Sequence, residues 1–123
     1  MDQRTNQPKY DLEERTLLFS KSVILFCKSL KQDLIIRPLI SQLVRSSTSV
    51  GANYMEANGA SSKKDFSHKI SICNKEAKET LYWLALIAES FEEYADAVRP
   101  LYRECKEIVL IFSKISKTTR AQI

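Results

Sequence analysis

The sequence predicts an all-α protein: one domain over residues 1–123, folded as an up-down-up-down antiparallel four-helix bundle. Three observations lead there. The 123 residues include only two glycines and three prolines, too little punctuation for the many turns of a β-sandwich or a doubly wound nucleotide-binding fold. Apolar residues, 44% of the chain, recur at steps of three and four, the spacing of one helix face. These recurrences fall into four segments of similar length with short polar connections, the pattern of a bundle.

Helix one is expected from Asp11 to Lys31. Asp11 can cap it, and Glu13 and Glu14 suit the positive end of its dipole. Leu12, Thr16, Phe19, Val23, Phe26 and Leu30 form its core stripe, widened by Leu17, Ile24 and Cys27. Residues 1–10 read as a polar N-terminal tail without the apolar segment of a signal peptide. Residues 32–37 connect to helix two, where Pro38 fits the first turn. Leu39, Leu43, Val50 and Tyr54 form the stripe of helix two, with Val44 beside it and Asn58-Gly59 as the stop. Ser61 or Ser62 caps helix three, with Asp65 at a capping-box position. Its stripe is Phe66, Ile70, Cys73, Ala77, Leu81, Leu84 and Ala88, and it is expected to fray around Glu89 to Glu93. Helix four is expected from about Tyr94 to Ser116, with Pro100 near its first turns. Val98, Leu101, Cys105, Ile108, Phe112 and Ile115 line its inner face, and residues 117–123 are left as a basic C-terminal tail. Heptad-like spacing favours crossing angles of about +20°.

Charge and cysteine narrow the setting. The net charge of +4 is unevenly spread. Residues 113–123 hold Lys114, Lys117 and Arg120 and no acid, whereas Glu89, Glu92, Glu93 and Asp96 make an acidic corner. Solvated surface is one reading of these charges; attraction for phosphate backbones is the other. Cys27, Cys73 and Cys105 lie on apolar faces without CxxC spacing, so they read as buried reduced thiols in a cytoplasmic protein. No run of about 20 apolar residues is present to span a membrane.

Some features exceed the needs of one bundle. Residues 81–88 (Leu-Tyr-Trp-Leu-Ala-Leu-Ile-Ala) and 108–112 (Ile-Val-Leu-Ile-Phe) are apolar all round. Over-packing of the core is one explanation, and a self-association surface on helices three and four is the favoured one. On helix two, Arg45, Ser49, Asn53 and Glu56 form a polar stripe at steps of four, four and three. Its residues either face solvent or pair with Glu76, Glu79 or Lys75 of helix three, an ionic network that would set register more than stability.

Catalytic signals are weak. There is no glycine-rich phosphate loop. His68 is the single histidine, so Asp65-x-x-His68 lacks the second histidine that a di-iron bundle requires. Glu76 and Glu79, three apart beside Lys75, read as structural rather than as an acid–base pair. Tyr10, Tyr82, Tyr94 and Tyr102 do not interleave with basic residues as stacking platforms do. The expectation is a non-enzyme with no cofactor, metal or small-molecule substrate.

The run from Gln42 to Glu56, with Ser62-Lys63-Lys64-Asp65-Phe66 and Lys75-Glu76-Ala77-Lys78-Glu79-Thr80-Leu81-Tyr82-Trp83-Leu84, resembles the bacterial four-helix bundle family encoded in intervening sequences of 23S ribosomal RNA. The resemblance covers about residues 12–116. Arg45, Ser49, Asn53 and Glu56 match the family's helix-two motif; Glu76, Glu79, Tyr82 and Trp83 match that of helix three. Tyr54-Met55 stands where many members have smaller aliphatic residues. The resemblance implies a ring-shaped homopentamer and kinship with the accessory protein of diversity-generating retroelements, which binds nucleic acid and partners a reverse transcriptase. The resulting expectation is a homo-oligomer that binds RNA, DNA or a nucleoprotein through Lys63, Lys64, Lys114, Lys117 and Arg120. The alternative is a protein-docking scaffold that touches no nucleic acid.

Overall fold

A computed structural model describes residues 11–123, so the expected N-terminal tail, 1–10, lies outside the described residues. Four α-helices follow in order: α1 (Leu12–Ser29), α2 (Ile36–Asn58), α3 (Lys63–Ser90) and α4 (Ala95–Ala121), with one 3-10 turn at Glu92–Tyr94. Each helix packs on its sequence neighbours, and α1 closes the circuit against α4. This is the expected antiparallel bundle. At about 1.5 Å per residue α3 is roughly 42 Å long and α1 roughly 27 Å, so α1 flanks only part of the longer pair.

The core follows the stripes that periodicity marked, with Leu39, Tyr54, Phe66, Leu81, Ala88 and Ile115 half-buried at its margin. Leu12, Thr16, Phe19, Val23, Phe26 and Leu30 of the first segment are all buried, as are Ile70, Cys73, Ala77 and Leu84 of α3 and Val98, Leu101, Cys105, Ile108 and Phe112 of α4. Leu17 and Ile24 do not widen the stripe of α1: they are 68% and 39% exposed. On α2 the buried face also includes Ile36, Ala57, Ser46 and Ser47. These small polar residues sit at close helix crossings. Ser20 Oγ donates to the Ser47 carbonyl at 3.2 Å, and Thr80 Oγ1 lies 2.8 Å from Ser46 Oγ. Gly51 serves the same end without unusual backbone torsion. A Cβ there would lie 3.0 Å from Thr16 Oγ1, so its absence lets α1 approach α2.

Helix ends deviate from expectation for local reasons. α1 stops at Ser29, and α2 starts at Ile36, two residues ahead of Pro38. Asp33 caps the entry to α2: its Oδ1 accepts from Ile35 N (2.9 Å) and Ile36 N (2.8 Å). For α3 the capping residue is Ser62, whose Oγ accepts from Asp65 N at 3.0 Å. α3 ends at Ser90, within the stretch where it is expected to fray, and Glu92–Tyr94 continue as the 3-10 turn. Tyr94 then closes that end of the bundle, stacking edge-on with Phe26 at 6.5 Å and accepting from Lys31 N at 3.1 Å. Pro100 sits in the second turn of α4; it and Asp96 are exposed, so solvent can satisfy the carbonyl its missing N–H leaves free. The tail expected at 117–123 is helical through Ala121. No glycine or proline follows Ser116 to stop the helix, and Arg120 suits its negative end.

The apolar surplus expected on α3 and α4 is mostly covered within the chain. Leu84, Ile87, Ile108 and Phe112 are buried, and most of their neighbours are half-buried against the core. Only Tyr82 (59%) and Leu110 (68%) stand out. The reason is that α3 packs extensively on both α2 and α4. Exposed apolar side chains collect instead on α1: besides Leu17 and Ile24, Leu18 is 53% and Leu25 54% exposed, with Met55 of α2 alongside at 62%.

Candidate functional site

Two polar constellations come from the sequence motifs. The first is the seam between α2 and α3. Arg45 projects from the middle of α2, where its Nε donates to Gln42 Oε1 at 3.0 Å, one turn back. Its Nη1 donates to Glu76 Oε1 at 3.1 Å, and its Nη2 donates to Glu79 Oε2. Glu76 is 9% exposed, so this guanidinium compensates a carboxylate that water scarcely reaches. Trp83 Nε1 donates to the same Glu79 oxygen at 3.1 Å. The indole N–H first, and Arg45 second, hold the Glu79 carboxyl below the usual carboxylate range. Arg45 is raised in return, chiefly by Glu79. A carboxylate held ionised in this way is a weak general base at neutral pH. Tyr82 packs edge-on against Trp83, their centroids 5.0 Å apart.

Arg45, Glu76, Glu79 and Trp83 are therefore brought together, and the other motif residues are not. Ser49 Oγ donates to the Arg45 carbonyl and Asn53 Nδ2 to the Ser49 carbonyl, both within α2. Glu56 pairs with Lys69, Nζ to Oε1 2.8 Å, and not with Lys75. Glu56 lies near the end of α2, where antiparallel packing sets it beside the start of α3; Lys75 is nearly two turns farther along. Tyr54 fits half-buried, edge-on to Phe112 at 5.5 Å.

The second constellation lies at one end of the bundle. α3 starts where α4 finishes, and Thr119 Oγ1 lies 3.4 Å from Ser67 Oγ across the two. Lys63 and Lys64 of α3 thus share an end with Lys114, Lys117 and Arg120 of α4. All five are exposed, and none is in an ion pair among the described residues. The acidic corner of Glu89, Glu92, Glu93 and Asp96 lies at the opposite end, where α3 turns into α4. Neither end is of one sign: Asp11, Glu13, Glu14, Glu56 and Asp65 share the lysine-rich end, and Lys28, Lys31, Arg37 and Arg99 share the other.

Sequence reasoning missed two features. Arg15 forks onto Glu104 (Nε–Oε2 2.7 Å) and Glu107 (Nη2–Oε1 2.7 Å), tying α1 to α4. Between α1 and α2 runs an apolar groove of about 710 Å³, walled by Leu17, Ile24, Ala52 and Met55 with Lys21 and Lys28 among its lining. Four apolar residues off the core stripe of a single 18-residue helix were the available signal. The three thiols are buried, and desolvation pushes Cys27 up to about 11 and Cys73 and Cys105 to about 12. Among the described residues no group of three or more His, Cys, Asp or Glu is placed to hold a metal, and no helix is long and apolar enough to cross a membrane.

The profile of the 23S rRNA-intervening sequence proteins matches residues 9–114, a span that contains every residue of the α2–α3 seam. A solved structure from Bacteroides thetaiotaomicron, a protein of unknown function from the S23 ribosomal protein family, superposes with a TM-score of 0.76 at 30% identity, covering 85% of this chain and 97% of that one. No curated protein matches significantly.

Proposed function

The chain belongs to the 23S rRNA-intervening sequence protein family, and from that premise we propose that it acts in the cytoplasm as a non-enzymatic homo-oligomer, most simply a pentamer, that binds nucleic acid by charge. The ligand is RNA, DNA or a nucleoprotein such as a reverse transcriptase bound to its template. One observation carries this reading: five exposed cations without ion-pair partners among the described residues, Lys63, Lys64, Lys114, Lys117 and Arg120, gathered from two helices at one end of the bundle. Exposed cations that make no ion pair within the described residues are suited to successive phosphates, and they carry no base-reading information. Oligomerisation multiplies the effect, since five copies at +4 each carry +20.

The seam around Arg45 supports a structural role within this function. Its polar groups are consumed by partners in α2 and α3, so it fixes the register of α2 on α3, the helix whose start carries Lys63 and Lys64. The acidic corner favours a second reading, a scaffold that docks a basic protein and touches no nucleic acid. Titration of labelled RNA and duplex DNA at about 50 and 200 mM salt separates the two. The expected result is binding at low salt that weakens steeply at high salt and is lost when all five cations become glutamine. An absence of binding at low salt rejects the nucleic-acid reading.

A further inference from the structure

Resting on the nucleic-acid reading, we infer that the ligand is a single strand lying lengthwise along the outer face of α3 and α4, with Tyr82 stacking on one of its bases. Round α3, at about 100° per residue, Lys64, Lys75, Lys78 and Tyr82 fall within about 60° of one another, opposite the core stripe. Round α4, Arg103, Lys106, Leu110, Lys114 and Lys117 fall within about 80° on its own outer side, with Arg120 just beyond. All are exposed. The two stripes flank the seam where Ser113 Oγ donates to Asn74 Oδ1 at 3.3 Å. At about 1.5 Å per residue each stripe runs roughly 26 Å. The cations gathered at the end of the bundle are one end of this longer track.

The carboxylates of the two helices mark this face off. Glu76 and Glu79 of α3 are bound by Arg45 of α2, and Asp65 lies round the helix on the same side as Glu76. Glu104 and Glu107 of α4 are bound by Arg15 of α1. Along the track the acids thus turn toward α1 and α2, and neither stripe contains one. None of the track's cations is in an ion pair among the described residues. Such a surface repels the same face of a second copy and suits a polyanion.

Tyr82 and Leu110 select the single strand. They are the large apolar side chains of α3 and α4 left mostly in water, 59% and 68% exposed, and both fall inside the stripes. Apolar groups set among cations gain nothing from a duplex, whose base faces are hidden, whereas a single strand offers every base for stacking. Along the chain Tyr82 does not alternate with basic residues. Folding sets it one turn beyond Lys78 and level with Arg103 and Lys106, since α3 and α4 run antiparallel from the Asn74–Ser113 contact. The ring is also held ready. It packs edge-on against Trp83, 5.0 Å between centroids, and Trp83 is fixed by its Nε1 donating to Glu79. A ring so placed loses little freedom when a base settles on it.

Titration of the full chain with a pyrimidine-rich strand of about 20 nucleotides, as RNA and as DNA, and with the duplex of each, tests this. Salt is set at about 50 and 200 mM. The strands are expected to bind more tightly than the duplexes and to quench the emission of Trp83, the only tryptophan. Tyr82→Ala is expected to weaken strand binding about tenfold and to leave duplex binding unchanged, with Tyr82→Phe close to wild type. The quadruple variant Lys75→Gln/Lys78→Gln/Arg103→Gln/Lys106→Gln is expected to keep the far-UV circular dichroism of the wild type. Its slope of log affinity against log salt for the strand should be shallower by about 3. A wild type that binds neither form at low salt overturns this inference and the nucleic-acid reading together. Binding that the quadruple variant leaves unmoved, but that is lost on replacing the five cations at the end of the bundle, overturns the lengthwise track alone. Equal affinity for strand and duplex, an unquenched Trp83, or a Tyr82→Ala variant that binds like wild type overturns the stacked single strand alone. If the quadruple variant unfolds, Lys75→Gln/Lys78→Gln and Arg103→Gln/Lys106→Gln should each give about half the change in slope, and no change in either rejects the track.

Discussion

Replacing Arg45 by methionine tests the central ionic seam most directly. The substitution keeps the aliphatic stem and removes the guanidinium from two carboxylates. Exposure sets the size of the effect. An ion pair in full solvent contributes about 0–1 kcal/mol, and breaking a fully buried one costs about 3–5 kcal/mol because a charge is stranded. Here the side chain of Arg45 is 44% exposed and that of Glu76 is 11%, so the arginine could leave for water and the glutamate could not. The expected loss for Arg45→Met is about 2 kcal/mol, midway between those limits. Glu76→Gln should lose only about 1 kcal/mol, since Arg45 keeps Glu79 and solvent. The double variant Arg45→Met/Glu76→Leu strands no charge at position 76 and should recover at least half of the loss. Urea titration followed by circular dichroism at fixed protein concentration measures all three, the fixed concentration guarding against linkage to assembly. The pH dependence has a determined sign. Glu79 sits below its unfolded value, so its contribution is present above the unfolded pKa and is lost as pH falls through the folded one. Wild type should lose more stability than Arg45→Met between about pH 6 and 3. An Arg45→Met loss under about 0.5 kcal/mol, or a double variant whose losses simply add, would refute the reasoning.

Other outcomes follow from single contacts. The three thiols stay protonated in the fold up to about 11, 12 and 12 but ionise near 8.5 when unfolded, so stability falls as pH rises above that value. Between pH 7.5 and 9.5 each should cost about 1.4 kcal/mol, and a Cys27→Ala/Cys73→Ala/Cys105→Ala variant should lose about 4 kcal/mol less than wild type over that window; parallel urea midpoints would contradict this. Gly51→Ala gains about 1 kcal/mol of helix propensity, against an overpacking cost of about 1–3 kcal/mol. Thr16 is 1% exposed with its hydroxyl held to Leu12 O and Glu13 O, so it cannot yield. A net loss of about 1 kcal/mol is expected, reversing toward a net gain in a Thr16→Ala background, where the propensity gain is less opposed. Ser62→Ala removes the acceptor of Asp65 N and should cost about 1 kcal/mol, detectable as a lower melting temperature.

The sequence alone determined where the helices are and which side of each faces inward. Period and punctuation are local: the stripe Leu12–Thr16–Phe19–Val23–Phe26–Leu30 and the cap at Ser62 depend on residues within a turn or two of one another. The same local information placed the three thiols inside and brought Arg45 to Glu76 and Glu79, because motif spacing fixed the faces of α2 and α3. Which apolar surplus remains uncovered was decided only by tertiary structure. Residues 81–88 and 108–112 look as greasy in sequence as α1, but they meet neighbours on more than one side, and Leu17, Leu18, Ile24 and Leu25 do not. Likewise Glu56 found Lys69 rather than Lys75, and five cations separated by up to 57 positions met at one end, since α3 begins where α4 ends. Periodicity specifies the direction in which a side chain points; what stands there depends on residues far away in the chain, and burial is a property of both.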